Sequence, residues 1–214
     1  IDRYDPQGNW LQNLDTFPSF VYASFVVIDP TETYALVGES SNMEVFKVPL
    51  DGSGRSYLAT LPFNYDAVFE DADHVIVSRS IGWSNPNNIV RVDVNTGATE
   101  LVAVVEGPSG PVAFDASGTL YYGTVAPSFP APPGSSSIIT WTSAQLHGAL
   151  PLSEADATVF HDDLDAATSL AIDPVYGNVF LAESVYGGTS QILEFDHSSG
   201  ELVDTIVRGP AFLT

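Results

Sequence analysis

Carboxylates and aromatic side chains are the groups in this sequence that could do chemistry. The chain has 27 Asp and Glu residues, 12 Phe, 9 Tyr and 3 Trp, with 4 His and no Cys. Without cysteine, it offers no thiol nucleophile, thiolate ligand or disulfide. The histidines show no metal-ligand spacing, and G-x-S-x-G, P-loop and dinucleotide-binding glycine motifs do not occur. What remains is cation coordination by oxygen, acid–base action by a carboxylate, or binding on aromatic rings.

One acidic segment concentrates hard oxygen donors. The run His161-Asp162-Asp163-Leu164-Asp165 contains three carboxylates. We expect this run to form a loop between two repeats, in which Asp162, Asp163 and Asp165 could bind Ca²⁺. It lacks the ligand spacing and the glycine of an EF-hand loop, so a solvated acidic loop is the alternative.

A second group of candidates combines aromatic rings, amides and carboxylates expected in loops on one face of the protein. Its members are Trp83, Asn85, Tyr65, Tyr186, Glu39 and Glu183, and Asp66 and Glu106 are expected beside them. This combination suits a neutral carbohydrate, a cationic ligand or Ca²⁺. Each candidate also has a structural alternative. Glu39 and Glu183 could accept backbone N–H bonds from an adjacent loop, and Trp83 could pack over a sheet edge.

A repeated strand pattern has to position these candidates. An apolar stretch that ends in an acid occurs four times, and the acids are Asp29, Glu70, Asp115 and Asp173, whose numbers differ by 41, 45 and 58. A turn and a second apolar strand follow each acid, at 34–39, 74–79, 120–124 and 179–183. Third strands with period-two alternation and fourth strands after Gly-bearing turns complete the units. Four strands in a unit of this length predict a β-propeller blade.

The pattern predicts an all-β fold, a β-propeller of four-stranded antiparallel blades in a single domain. The third repeat is longer because of a Pro-rich loop at 126–136 and a connection at 143–158 that we expect to contain one short helical turn. The predicted units are 1–16 (strands three and four of a split blade), 17–64, 65–107, 108–163, 164–207 and 208–214 (the first strand of a next blade). We therefore expect about four and a half blades of a larger ring, whose partner is the remainder of that ring or a second copy of the chain.

The repeats resemble those of NHL-type and gluconolactonase-like propellers. The fourth repeat, AIDPVYGNVFLAESVYGGTSQILEFDHSSGELV, carries the resemblance best, and the first matches it as VVIDPTETYALVGESSNMEVFKVPLDGSG. The second and third repeats have Arg79 and Thr124 where the others have Glu39 and Glu183. The resemblance implies the fold rather than an activity. Gluconolactonase-like enzymes hold a divalent cation on the axis with Glu, Asn and Asp, but those ligands do not match residue by residue here.

The net charge of −21 constrains the partners. It disfavours nucleic acid and anionic membrane surfaces, and no apolar run approaches the ~20 residues that span a bilayer. A saline habitat would be another reason for such acidity. We predict an extracytoplasmic (secreted or periplasmic) binding or scaffold module that recognises a protein or glycan through loops on one face. The alternative is a Ca²⁺-dependent lactonase or hydrolase of the gluconolactonase-like type, with Glu39 or Glu183 as base.

Overall fold

The computed structural model describes residues 1–18, 21–80, 86–128, 131–184 and 189–210. Over these ranges the chain is almost entirely β, and four antiparallel sheets follow one another as the blades of a β-propeller. The all-β propeller predicted from the repeats is therefore confirmed. Within the described ranges, none of the helices has the length and apolarity needed to cross a bilayer.

A hairpin precedes the four blades. It consists of β1 (Asp2–Tyr4) and β2 (Trp10–Asn13). Blade one consists of β3 (Ala23–Ile28), β4 (Tyr34–Glu39), β5 (Glu44–Pro49) and β6 (Ser56–Thr60). Blade two consists of β7 (Asn64–Phe69), β8 (His74–Ser80), β9 (Asn87–Asp93) and β10 (Thr99–Val105).

Blade three contains the long connection that the sequence predicted. It begins with β11 (Val112–Phe114), β12 (Leu120–Gly123) and β13 (Ser136–Trp141). The connection then forms α1 (Ser143–Leu146), β14 (Leu152–Ser153) and a 3₁₀ turn (Glu154–Asp156) before β15 (Thr158–Leu164) completes the blade. The predicted helical turn is thus present, and β14 pairs in parallel with β10 of blade two. Blade four consists of β16 (Ala167–Ile172), β17 (Val179–Ser184), β18 (Thr189–Phe195) and β19 (Leu202–Pro210).

The core lies between the blades because successive side chains of a strand point to opposite faces of its sheet. Leu36 of blade one packs in one cluster with Val77 and Val92 of blade two. Similar clusters join blade two to blade three around Trp141, and blade three to blade four around Phe195. Each fully buried side chain of this size contributes about 1.5–3 kcal/mol by leaving water. Stacking therefore stabilises the blades as a set.

The first strands of the blades lie side by side at the centre of the propeller. β3 contacts β7, β7 contacts β11, and β11 contacts β16. First strands begin, and second strands end, on one face of the propeller, which we call the upper face. The opposite side, where each first strand turns into the second, is the lower face. Close approach near the axis requires small residues: a Cβ at Gly123 would lie 2.8 Å from the Cβ of Ala167.

Two sequence predictions about strand ends are wrong. Arg208, Gly209 and Pro210 continue β19 by pairing with β18, so these three residues do not begin the first strand of another blade. The rest of the predicted 208–214 strand, residues 211–214, lies outside the described residues. The Gly-Pro pair resembles the boundary between two blades. Proline is nevertheless tolerated in an outermost strand, because its missing N–H group does not have to bond to a further strand.

The prediction that the acidic segment forms a loop is also wrong. His161, Asp162, Asp163 and Leu164 belong to β15, and only Asp165 lies in the connection to blade four. The register with β13 shifts at this point, and Asp163 has a positive φ of 59°. A β-bulge of this kind hides the period-two pattern, because it places consecutive polar residues on one side of an edge strand.

Two blade faces remain partly open among the described residues. Ile1, Leu14 and Phe17, which flank the hairpin, pack against Val37 and Val48 of blade one. Val26 and Ile28 of β3, however, are each 55% exposed. On the outer side of blade four, Ile192 and Val207 of the last two strands are exposed. Exposed apolar faces of this kind favour association.

We predict that these faces are covered in solution by further blades or by a second copy. The double variant Val26→Asp/Ile28→Asp should therefore shift the molar mass measured by light scattering toward that of one chain, because carboxylates resist burial. Val175→Asp, at an exposed valine of the lower face, is the matched control and should leave the mass unchanged. A wild-type chain that stays monomeric at high concentration would contradict this prediction.

Candidate functional site

Polar residues meet on the upper face where the first strands begin. We call Asn64, Tyr65, Asp66 and Thr168 the axial cluster. The hydroxyl of Tyr65 donates a 2.8 Å hydrogen bond to the carbonyl oxygen of Thr168, 103 residues further along the chain. Tyr65 belongs to β7 and Thr168 to β16, so this bond joins blades two and four, between which blade three is inserted. The Tyr65 ring is therefore held across the centre of the upper face.

Hydrogen bonds extend the axial cluster to both sides. The Asn64 amide donates to the carbonyl of Glu39 at 3.2 Å and accepts from the Ser24 hydroxyl. The Thr168 hydroxyl donates to the carbonyl of Ala182 at 2.9 Å, next to Glu183. A connected band of polar groups thus runs from the end of β4 to the end of β17. It places the predicted site residues Glu39, Tyr65 and Glu183 on one face.

Glu39 holds the turn between β4 and β5. It is 1% exposed, and its two carboxylate oxygens accept the backbone N–H groups of Ser41 at 2.5 Å and Asn42 at 2.8 Å. Burial alone would raise the pKa of Glu39, but these donors, Asn42 first, outweigh it and lower that pKa below its ordinary value. Glu39 is therefore an ionised carboxylate that fixes the turn. This is the structural role that the sequence offers as the alternative to a role in ligand binding or catalysis.

Glu183 connects three segments of the upper face. It is 4% exposed, its Oε2 accepts the backbone N–H of Asp165 at 3.2 Å, and its Oε1 accepts from the Gln191 side chain. Both oxygens are thus occupied by donors from the β15–β16 connection and from β18. The two glutamates that the sequence made candidates for a catalytic base both stabilise loops.

The three aspartates predicted to bind Ca²⁺ differ in their contacts and in their exposure. Asp165 Oδ1 accepts the backbone N–H of Gly134 at 3.2 Å, and the Asp163 carboxylate occupies the space that a side chain at Gly134 would need. Asp162 is exposed on β15. Asp165 therefore fixes the end of the Pro-rich loop, and the Asp163 carboxylate lies beside it. Across the described part of the chain, no three His, Asp or Glu side chains are grouped so that they could hold a metal ion.

Asp66 is the acid on this face whose environment favours protonation. Burial raises its pKa, and the N–H groups of Val112 at 3.0 Å and of Ala67 at 2.9 Å only partly oppose this effect. Burial also raises the pKa of the neighbouring Tyr65 to about 12, with a contribution from the Asp66 charge. Sequence reasoning placed Asp66 on this face but did not select it. The available signal was a run of polar residues, 64–66, directly before the apolar part of a first strand.

Three predicted ligand contacts, Trp83, Asn85 and Tyr186, lie outside the described residues. The strand ends on either side of Trp83 and Asn85 carry buried polar atoms. Among the described residues, Arg79 Nε and Asn87 Oδ1 are both buried without a hydrogen-bond partner, and burial lowers the pKa of Arg79. Asn87 nevertheless donates from its amide to the Tyr122 hydroxyl at 2.8 Å. Asn87 is thereby tied to blade three.

Comparison with known proteins identifies the fold. No family model and no curated protein matches the sequence. Among solved structures, a chain of a nidogen/laminin complex superposes with a TM-score of 0.64 at 14% identity, covering 86% of this chain and 62% of that one. The PQQ-bound aldose sugar dehydrogenase of Streptomyces coelicolor superposes with a TM-score of 0.67 at 14% identity, covering 94% of this chain and 71% of the dehydrogenase chain. An oligogalacturonate lyase in complex with manganese superposes with a TM-score of 0.60 at 13% identity, covering 98% of this chain and 59% of the lyase chain.

These neighbours are β-propellers, and at such identities the likeness establishes the fold alone. The chain spans less than two thirds of the length of the nidogen/laminin chain and of the lyase. The same fold thus serves a protein complex and enzymes.

The turn-fixing role of Glu39 predicts a pH-dependent loss of stability in Glu39→Gln. A lowered folded-state pKa contributes stability above the ordinary Glu pKa of 4.5, and this contribution disappears as the pH falls through the folded value. The variant should have a free energy of unfolding lower by about 1–3 kcal/mol at pH 7, because one N–H loses its acceptor. The difference should shrink toward pH 3 in urea denaturation. Glu201→Gln, at an exposed glutamate, should behave as wild type at every pH, and a pH-independent deficit in Glu39→Gln would contradict the account.

Proposed function

We propose that this propeller is an extracytoplasmic binding module that takes a protein or a glycan on its upper face, over the axial cluster. The observation that carries the proposal is the Tyr65 side chain, which is fixed at the centre of that face by its bond to Thr168. A ring held in place loses little conformational entropy when a ligand packs on it. A chain of a nidogen/laminin complex shares this fold, so a role in recognition is compatible with it.

The state of the carboxylates favours binding over catalysis. A general base has to be free to accept a proton from the reacting group. Glu39 receives two backbone donors and has a lowered pKa, and Glu183 also has a donor on each oxygen. Neither side chain could act as base without releasing a loop that it holds.

The chemistry of the axial cluster suits an uncharged or cationic ligand. The Tyr65 ring can stack on a sugar, and the Thr168 hydroxyl and the Asp66 carboxyl beside it can bond to the hydroxyls of that sugar. The net charge of −21 repels polyanions and attracts basic protein surfaces. We therefore propose neutral glycans or proteins with a basic surface as the ligand class.

One observation favours the alternative function, a lactonase or hydrolase. Burial raises the pKa of Asp66, which is the direction that a general acid needs. In that alternative Asp66, rather than Glu39 or Glu183, would transfer the proton. The calcium-dependent form has less support, because Asp165, one of the carboxylates offered for the ion, accepts the Gly134 N–H instead.

Calorimetric titration with a panel of neutral oligosaccharides tests the proposal. Tyr65→Ala should weaken binding by about tenfold or more, as expected for loss of a central aromatic contact. Tyr176→Ala is the matched control, because Tyr176 is 80% exposed on the lower face, and it should bind as wild type. Equal effects of the two changes would contradict the proposal. Hydrolysis of a δ-lactone that is lost in Asp66→Asn would replace it with the alternative.

A further inference from the structure

One arginine of the upper face, Arg79, lacks a counter-ion among the described residues. The chain has 6 Lys and Arg residues against 27 Asp and Glu residues, so partners for a cation are plentiful. The other basic side chains each contact a polar or aromatic partner, and they are Arg3, Lys47, Arg55, Arg91 and Arg208. Within the described part of the chain, Arg79 forms no ion pair and its side chain donates no hydrogen bond. In so acidic a protein, this isolation does not follow from a shortage of carboxylates.

Arg79 occupies the strand position at which blades one and four have a glutamate. In each of these blades this residue of the second strand pairs with the start of the first strand: Glu39 with Ala23, Arg79 with Asn64, and Glu183 with Ala167. The two glutamates accept N–H groups from adjacent segments. A guanidinium group has only donors and cannot accept such bonds. The reversed charge in blade two therefore removes the loop-fixing role and leaves a set of donors on the upper face.

The inner part of the Arg79 side chain is held by burial. Val75 and Val77 of the same strand pack against blade one, so Arg79, two positions later, faces the same side. Its Nε is buried without an acceptor among the described residues. The two terminal nitrogens also have no acceptor there, but they are not buried and so present N–H groups at the surface. A half-buried charge without a partner is unfavourable, and a bound anion would supply the missing interaction.

The neighbours of Arg79 have the chemistry to bind a sugar. Asn64 and Asn88 are its two partners in the ladder, and Asn64 belongs to the axial cluster. Asn88 lies directly opposite Arg79 and shares its face of the sheet. In the described part of the chain, the Asn88 amide makes no hydrogen bond of its own. Phe63 is 46% exposed, and its carbonyl accepts a backbone N–H of β8 at 3.4 Å, which places this residue at the end of the same strand.

From these contacts we infer that Arg79 binds the carboxylate of an acidic sugar, in a glycan that packs on Tyr65. The inference rests on the proposed function and narrows its ligand class to glycans that are uncharged apart from such a carboxylate. The two terminal nitrogens of Arg79 can bond to both oxygens of a carboxylate. Asn88 and Phe63 supply an amide and an aromatic ring for the rest of that sugar.

The charge of the protein favours a sugar with one carboxylate over an acidic protein. A net charge of −21 repels an acidic protein surface, which carries many charges. Repulsion of a single carboxylate is weaker and is screened over ~8 Å at physiological ionic strength, whereas Arg79 acts in direct contact. The acids described nearby are engaged with backbone donors: Asp66 accepts the Val112 N–H of blade three, and Glu39 holds the β4–β5 turn.

The test compares acidic disaccharides with their methyl esters, which lack the charge. The probes are disaccharides that end in glucuronate, galacturonate or mannuronate, and NMR follows the amide shift of Asn88 and the Nε–H shift of Arg79. For at least one sugar, wild-type protein should bind the acid about tenfold more tightly than the ester, as expected for a charge-assisted hydrogen bond. The Nε–H resonance of Arg79 should move with the acid and not with the ester.

Three results would overturn the inference. Acids and esters that bind alike would overturn it and leave the proposed function standing. No binding of either form would overturn it together with the glycan form of the proposed function. A peptide with one aspartate that binds more tightly than every acidic disaccharide would overturn the choice of a sugar.

Arg79→Gln isolates the proposed contact. It removes the charge, so affinity for the acid should fall about tenfold, to that of the ester, while affinity for the ester stays unchanged. Tyr65→Ala should instead weaken acid and ester by the same factor. The matched control is Arg3→Gln, because Arg3 is an exposed arginine of the hairpin that donates to the Leu50 carbonyl at 3.3 Å, and it should bind both forms as wild type does. Equal weakening of acid and ester by Arg79→Gln would contradict the inference, and the comparison on wild-type protein decides the matter even if this variant does not fold.

Discussion

The packing of one blade against the next is the constraint on which the rest of this structure depends. Strands of blade two are apolar on both faces: Val75 and Val77 belong to the cluster shared with blade one, and Ile76 and Ile89 to the cluster shared with blade three. A sheet that is apolar on two sides has to be covered on two sides. The first strands are thereby brought to the centre, and their polar ends form the axial cluster that holds Tyr65.

The carboxylates of this acidic protein serve mainly as acceptors for loop N–H groups. On the lower face, burial opposes the charge of Asp29, but the Thr31 hydroxyl and the N–H groups of Tyr34 and Thr31 lower its pKa to about 2. On the upper face, the Glu39 carboxylate likewise accepts loop N–H groups. Chemistry is therefore left to the few acids that are not fully used in this way. Asp66, whose pKa is raised by burial, is one of them.

The sequence reveals the fold better than the site. Apolar strands followed by an acid and a turn are local patterns, so the second strands β4, β8, β12 and β17 are found close to their predicted ranges. The bulge at Asp163 interrupts the alternation that would have revealed β15, and Gly209-Pro210 resembles a boundary although it continues β19. The Tyr65–Thr168 bond joins residues from two blades that do not follow each other. Such a contact depends on the closure of blades around an axis, and no local pattern encodes it.

On the upper face, Glu39 is a structural carboxylate and Asp66 is the acid whose environment favours protonation. Carbon-detected NMR titration of the side-chain carboxyl groups measures this directly. We predict that Glu39 titrates below its ordinary pKa and Asp66 above its own. A Glu39 that titrates at or above its ordinary value, together with an Asp66 that titrates normally, would contradict it.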